Sequence, residues 1–414
     1  MVRNDPDPAG PAEQAGLAHV ATASFLASRV APTGGFAIAL AGGVALARAA
    51  QCAGARTGYG ASLAAMLQTV AVMGPARIGI PLTQALSAPL LGRLHARGAA
   101  FAARLAACAG VRLADQLANT AFTIWIILGG VDVYAGTYDT LLGGLPLLPE
   151  GAAGALVTTV AALLVWTLFA SVVQVAVYRR GLLGWPRAQA PAGVPARPDE
   201  RPRRAPRFDP RAVALSAVVA FAVLLASTAW AVLAAVSAWL VLAWATARAE
   251  SAPVRSGVAL AATLAAGALA FGLVSGAGLD LTLQRTARAA LLVLVATWLR
   301  AAAGEEGLRE VARRGLHRAR RLPAAAEAAA ILERLGARGG LADSGRALVE
   351  TVRDVPRRAS PLAAAVLLWI ADEAARFAPA ATAPAPAVLR ARPRDRALVA
   401  LAVAAAVTLA LPAS

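Results

Sequence analysis

The sequence predicts an all-α fold: a polytopic helical membrane protein with about nine spanning helices and a set of cytoplasmic amphipathic coupling helices. Hydrophobic residues fill 58% of the 414 positions and charged residues only 15%, and the mean hydropathy is +0.62. Alanine inflates that average, so contiguous runs carry more weight. Several runs with little or no charge reach about 17–25 residues, enough to cross ~30 Å of hydrocarbon. The excess of 40 Lys and Arg over 23 Asp and Glu, a net charge of +17, gathers in short connections beside those runs, as cytoplasmic loops do.

Residues 1–184 are expected to form an N-terminal membrane unit of about four helices. Phe36–Ala47 and Gly60–Met73 are its first candidates, the second stopped by Gly74-Pro75. Pro75, Pro81 and Pro89 predict an irregular segment, because each removes a backbone donor. From Leu90 to Arg112, Leu94, Phe101, Leu105 and Cys108 share a stripe flanked by Arg93, Arg97 and Arg104, the pattern of an interfacial helix. Ala118–Val131 and Ala152–Tyr178 read as spans. The loop between them carries Asp132, Tyr134, Tyr138, Asp139 and Glu150 and no Lys or Arg, which places it on the non-cytoplasmic side. Asp132, Tyr134, Tyr138 and Asp139 are candidates for a substrate-side loop facing a cation, beside the simpler reading of a polar exterior loop. The unit as a whole is a substrate-binding unit or an unrelated companion.

Residues 185–207, rich in Pro and Arg, predict an extended basic cytoplasmic linker. Beyond it, Ala212–Thr246 is too long for one helix and predicts a hairpin turning at Ser227-Thr228, with both ends on the arginine side. Val258–Val274 and Thr286–Leu299 follow as spans, and Ala397–Leu411 as the last. Between them, residues 304–377 hold no run fit to cross. Leu308, Val311, Ala312, Leu316 and Ala319 line one helical face while Arg309, Arg313, Arg314, Arg318 and Arg320 fill the rest, so this helix lies along a surface or a partner. Asp372, Glu373 and Arg376 keep Pro361–Phe377 out of the bilayer too, and the pairing expected there is Asp372 with Arg376.

This order of elements, with Asp209-Pro210-Arg211 before its first helix, Gly304-Glu305-Glu306-Gly307-Leu308 after its fourth, and Ala337-Arg338-Gly339 in the insertion, resembles the transmembrane (T) component of energy-coupling factor transporters, the CbiQ/EcfT-like family. The resemblance covers residues 208–414. It implies a permease or coupling subunit that links cytosolic ATP-binding subunits to uptake of a small nutrient of the vitamin or metal-ion class. It further implies an inner-membrane location, docking through Ala337, Arg338 and Gly339, and a separate substrate-binding membrane subunit as a further partner. Arg313 and Arg314 are added as docking candidates. The family's second Ala-Arg-Gly signature is absent: Arg353 and Arg357-Arg358 are not followed by Gly. The other reading is a non-transporting membrane scaffold whose basic helices bind anionic lipid or a cytosolic protein.

Catalytic, metal and cofactor chemistry are not expected. Cys52 and Cys108 form no CxxC pair, and His19, His95 and His317 are scattered and read as surface or interfacial residues. Gly34-Gly35 and Gly42-Gly43 lack the lysine of a phosphate-binding loop. No aromatic platform suggests nucleic acid as a partner. The polar, Pro-rich opening from Met1 to Pro8 does not read as a cleaved signal peptide.

Overall fold

A computed structural model describes residues 11–30, 35–75, 79–143, 145, 148–186, 207–247, 251–276, 278–337, 340–355, 359–376 and 392–407. These residues are helical, with no strand among them. In chain order the helices are α1 (Pro11–Val30), α2 (Gly35–Met73), α3 (Gly79–Ala96), α4 (Phe101–Phe122), α5 (Val131–Leu142), α6 (Gly151–Leu183), α7 (Pro210–Ala226), α8 (Trp230–Thr246), α9 (Ser251–Val274), α10 (Leu279–Arg318), α11 (Pro323–Ala337), α12 (Leu341–Asp354), α13 (Ala359–Arg376) and α14 (Pro393–Val407).

By length and composition α2, α6, α9 and α10 are fit to cross a membrane. The bent pair formed by α4, its π-turn Thr123–Ile127 and α5, meeting at 99°, makes a fifth if counted as one span. Among the described residues four to five helices meet this test, against the expected nine or so. The hairpin over Ala212–Thr246 does break at Ser227, but into two helices of 17 residues, each ~26 Å long. The last expected span, Ala397–Leu411, is described only as far as Val407, within the 15 residues of α14. α6 and α9 turn large apolar side chains outward, among them Val165, Phe169, Leu264 and Leu273, which suits a hydrocarbon solvent.

The expected runs Phe36–Ala47 and Gly60–Met73 both lie in α2, whose limbs meet at Gly54 with φ 84°. A β-carbon on Gly58 would stand 2.8 Å from the Ala50 Cα, whereas positions eight apart in a straight helix are ~12 Å apart. The chain therefore doubles back there. Three further expectations are corrected. Gly79–Pro89 is not irregular: Pro81 falls in the first turn of α3, where a missing donor costs little, and Pro89 is tolerated inside it. The helix expected from Leu90 to Arg112 is divided at Gly98, whose φ is 69°. Residues 132–142 of the expected loop are helical, in α5.

Two apolar cores result. One gathers α7, α8, the first limb of α10 and α14 around Trp298, fully buried with its ring edge-on to Trp239 at 5.1 Å. The other joins α1, α2, α3 and α6 to Leu316 of α10, Leu332 and Leu335 of α11, and Ile370 of α13. The described helices between residues 304 and 376 thus pack chiefly on the N-terminal helices. α1, whose side chains are almost wholly buried, is the post they surround.

Candidate functional site

The site is the elbow at Gly304 in α10, the helix that supplies both cores. Gly304 takes φ 70° and ψ 166°, a region open to glycine and to almost nothing else. Before it, Leu291, Val295, Trp298 and Ala302 belong to the Trp298 core; after it, Leu308 still does, and Leu316 belongs to the other.

The Asp209-Pro210-Arg211 triplet braces this elbow. Asp209 caps α7, its Oδ1 accepting from the Arg211 backbone N–H at 2.8 Å, with Pro210 in the first turn. The Arg211 Nη2 donates to Asp209 Oδ2 at 2.8 Å, and the Asp209 N–H donates to Asp395 of α14 at 2.9 Å. Burial would raise the Asp209 carboxyl, but the hydrogen bonds from Arg211, with the Arg211 and Arg314 charges, hold it below its ordinary value. Pro210 rests against Gly307, just past the bend.

On the other flank, Gln68 of α2 donates to Glu305 at 3.2 Å and accepts from Arg309 at 2.8 Å, while Arg309 pairs with Glu305 at 2.5 Å. Arg300 Nε donates to the Val72 carbonyl at 2.8 Å, tying α10 to α2 just before the bend. Six residues beyond it, buried Glu310 accepts from Arg313 at 2.8 and 3.0 Å and from Arg314 at 2.5 Å. Burial raises the Glu310 carboxyl, and these hydrogen bonds and charges outweigh it, so its pKa falls below normal. Arg313 and Arg314 are therefore committed to an internal carboxylate, and Arg313 also reaches Glu333 of α11 at 3.8 Å. Ala337 ends α11, whereas Arg338 and Gly339 lie outside the described residues.

The insertion is locked to α1 by a buried polar cluster that sequence reasoning missed. His19 is 1% exposed, not at the surface as expected, and its Nε2 lies 3.0 Å from the Ser344 Oγ of α12. Ser344 donates to Glu373 of α13 at 2.6 Å. Arg376 lies 3.9 Å from Glu373, the neighbour of its expected partner Asp372. The three residue types invite comparison with a hydrolase triad, but Glu373 approaches the same ring nitrogen as Ser344, at 3.5 Å. In a triad the carboxylate orients the imidazole from the far nitrogen, so this cluster is built as a clamp. The only sequence signal was a polar residue inside the apolar stretch 15–27.

The tyrosines of the supposed substrate-side loop face α6. Tyr138 is 6% exposed and meets the Thr158 hydroxyl at 3.0 Å; Tyr134 meets Thr159; Asp139 accepts from the Gly151 N–H at 3.0 Å. Asp132 stays exposed, so the four residues do not converge. A second interior network links α3, α4 and α6: buried Arg112 donates to Gln174 at 2.5 Å, Gln174 donates to Ser87 at 2.7 Å, and Tyr178 donates to Gln84 at 2.5 Å. Among the described residues no group of His, Cys, Asp and Glu is placed to hold a metal ion.

The chain matches no family model, no curated protein and no solved structure. The elbow is thus read from its own geometry: a glycine break in a helix that serves both cores, braced by ion pairs on both flanks, joins a polar helical insertion to apolar helices.

Proposed function

We propose that this chain is a multi-pass inner-membrane transport subunit. Its insertion, residues 304–377, receives movement from cytosolic ATP-binding partners and passes it through the Gly304 elbow to the membrane helices, in uptake of a small nutrient. One observation carries the reading: α10 supplies side chains to both cores and breaks at Gly304, inside the stretch that still serves the Trp298 core and ahead of the residues that serve the other. Gly307 of the insertion meets Pro210 of α7, whose cap Asp209 is tied to Asp395 of α14, so a displaced insertion would act on both helices. The Asp209-Pro210-Arg211 cap and the Gly304–Leu308 passage, which suggested the T-component resemblance, lie against one another. The test is affinity purification in mild detergent from the native host, with ATP-dependent uptake measured in parallel. Recovery of an ATP-binding subunit that Arg338→Ala loses is the expected result. No such subunit in the wild-type eluate, with uptake unaffected by Arg338→Ala, would sink the proposal.

A second reading is favoured by the exposed Arg318, Arg320 and Arg321 beside Leu322, which is 64% exposed. A scaffold that presents this corner to anionic lipid would recruit phosphatidylglycerol vesicles in a salt-sensitive way and support no uptake.

A further inference from the structure

Near the opposite end of α10 lies a cavity of about 310 Å³ that none of the foregoing uses. Its walls include Trp125 and Gly129 from the break between α4 and α5, Ser227 and Thr228 from the turn between α7 and α8, and Arg285 and Arg288. Each half of the chain supplies part of it. Arg288 is 5% exposed, and its one hydrogen bond goes to the Ile127 carbonyl at 3.2 Å. Among the described residues no carboxylate pairs with either arginine. Asp280, one turn before Arg285, is already engaged by Trp230 at 2.8 Å and Gln284 at 2.9 Å.

The surroundings make room for those guanidinium groups rather than neutralising them. Gly129 has φ 84°, and a β-carbon there would stand 2.6 Å from the Arg285 Nη2, so the broken helix brings bare backbone against the fork. Two cations side by side, one of them buried, repel each other and lose hydration. A resident negative charge removes both penalties. Planar guanidinium forks suit oxygen pairs on phosphate, sulfate or carboxylate, and the Ser227 and Thr228 hydroxyls add neutral polar groups to the wall. The volume exceeds what a bare oxyanion fills, leaving room for an attached organic group.

We propose that this cavity is an oxyanion-binding site in which Arg285 and Arg288 grip a phosphate-like group. The claim does not rest on the coupling function. Arg285 is 19 positions before Gly304 and Arg288 16, or ~28 and ~24 Å along the helix, so for a spanning limb the site lies near the face opposite the elbow. Its ligand is then a free oxyanion arriving from that side or the headgroup of an anionic lipid in that leaflet.

The experiment uses the full chain in nanodiscs of pure phosphatidylcholine. Tryptophan fluorescence is followed during titration with sodium phosphate at constant ionic strength, with Trp125→Phe to identify the reporting ring. In a parallel arm, protein purified from phosphatidylglycerol-containing membranes is weighed by native mass spectrometry. Saturable phosphate binding identifies a free oxyanion; one retained phosphatidylglycerol without phosphate binding identifies a headgroup; both together also support the site. Arg285→Gln and Arg288→Gln should each weaken the binding by about tenfold or more, and Arg285→Lys, which keeps the charge, by less. If neither ligand binds the wild-type chain, or if both glutamine variants bind like wild type, the proposal is overturned. The wild-type titrations decide it even if a variant fails to fold.

Discussion

Arg285 and Arg288 on the first limb of α10 and Arg313 and Arg314 on the second are the same residue type, closely spaced on one helix, in opposite surroundings. Arg313 and Arg314 share the carboxylate of Glu310, and Arg313 reaches Glu333 as well. Arg285 and Arg288 have a cavity and a carbonyl oxygen. The contrast teaches that arginine count alone does not mark a docking surface. A pair with an internal carboxylate braces the fold and meets a partner only by exchanging that contact, whereas a pair without one is available to an anion from outside.

The widest separation of the two pairs should come from Gly304→Ala, which puts a β-carbon where the backbone has φ 70° and ψ 166°. A loss of about 2 kcal/mol is expected, read by thermal melting in detergent, as the second limb and Glu310 shift away from Asp209. Phosphate or phosphatidylglycerol binding at Arg285 and Arg288 should survive, because those residues lie on the other side of the break. Equal loss at both ends would show that the limbs are not independent.

Next in size, Glu310→Ala would give the inner pair the condition of the outer one. About 1–2 kcal/mol of stability should go, since charged hydrogen bonds are lost while Glu333 and Asp209 remain nearby. The same carboxylate sets a pH signature. Its folded pKa lies below the ordinary value, so its contribution is fully present above the unfolded pKa of about 4.3 and is lost as pH falls through the folded one. The wild-type melting temperature should drop below about pH 4, and Glu310→Ala should flatten part of that decline.

The smallest effect is the converse substitution, Thr228→Glu, which offers the outer pair an internal carboxylate. Oxyanion binding should disappear, and stability should rise by about 0.5–1 kcal/mol, in the range of a partly exposed ion pair. Retained binding would mean that the two arginines are not the grip.

Much of the helical plan was legible because it rests on local chemistry. The break at Ser227, the stop before Gly74 and the change of character at Gly304 follow from hydropathy, proline and glycine. The Asp209-Pro210-Arg211 cap was written in three adjacent letters. The braces around the elbow were not, since Gln68 and Glu305 lie 237 positions apart and His19 and Ser344 lie 325 apart. Helix periodicity puts a residue on a face without saying what that face will meet.

By itself, then, the sequence determined the helices, their apolar or polar character and the places where glycine and proline end them, because backbone sterics and solvent preference act over a few residues. Only the tertiary structure decided that α2 doubles back at Gly54, that the described helices of the insertion fold around α1, and that Arg285 and Arg288 line a cavity with no carboxylate partner among the described residues. Those outcomes depend on side chains that distant segments bring together, as Gln68 meets Glu305 and Arg309, whereas Glu310 serves Arg313 and Arg314 from three and four positions away on the same helix.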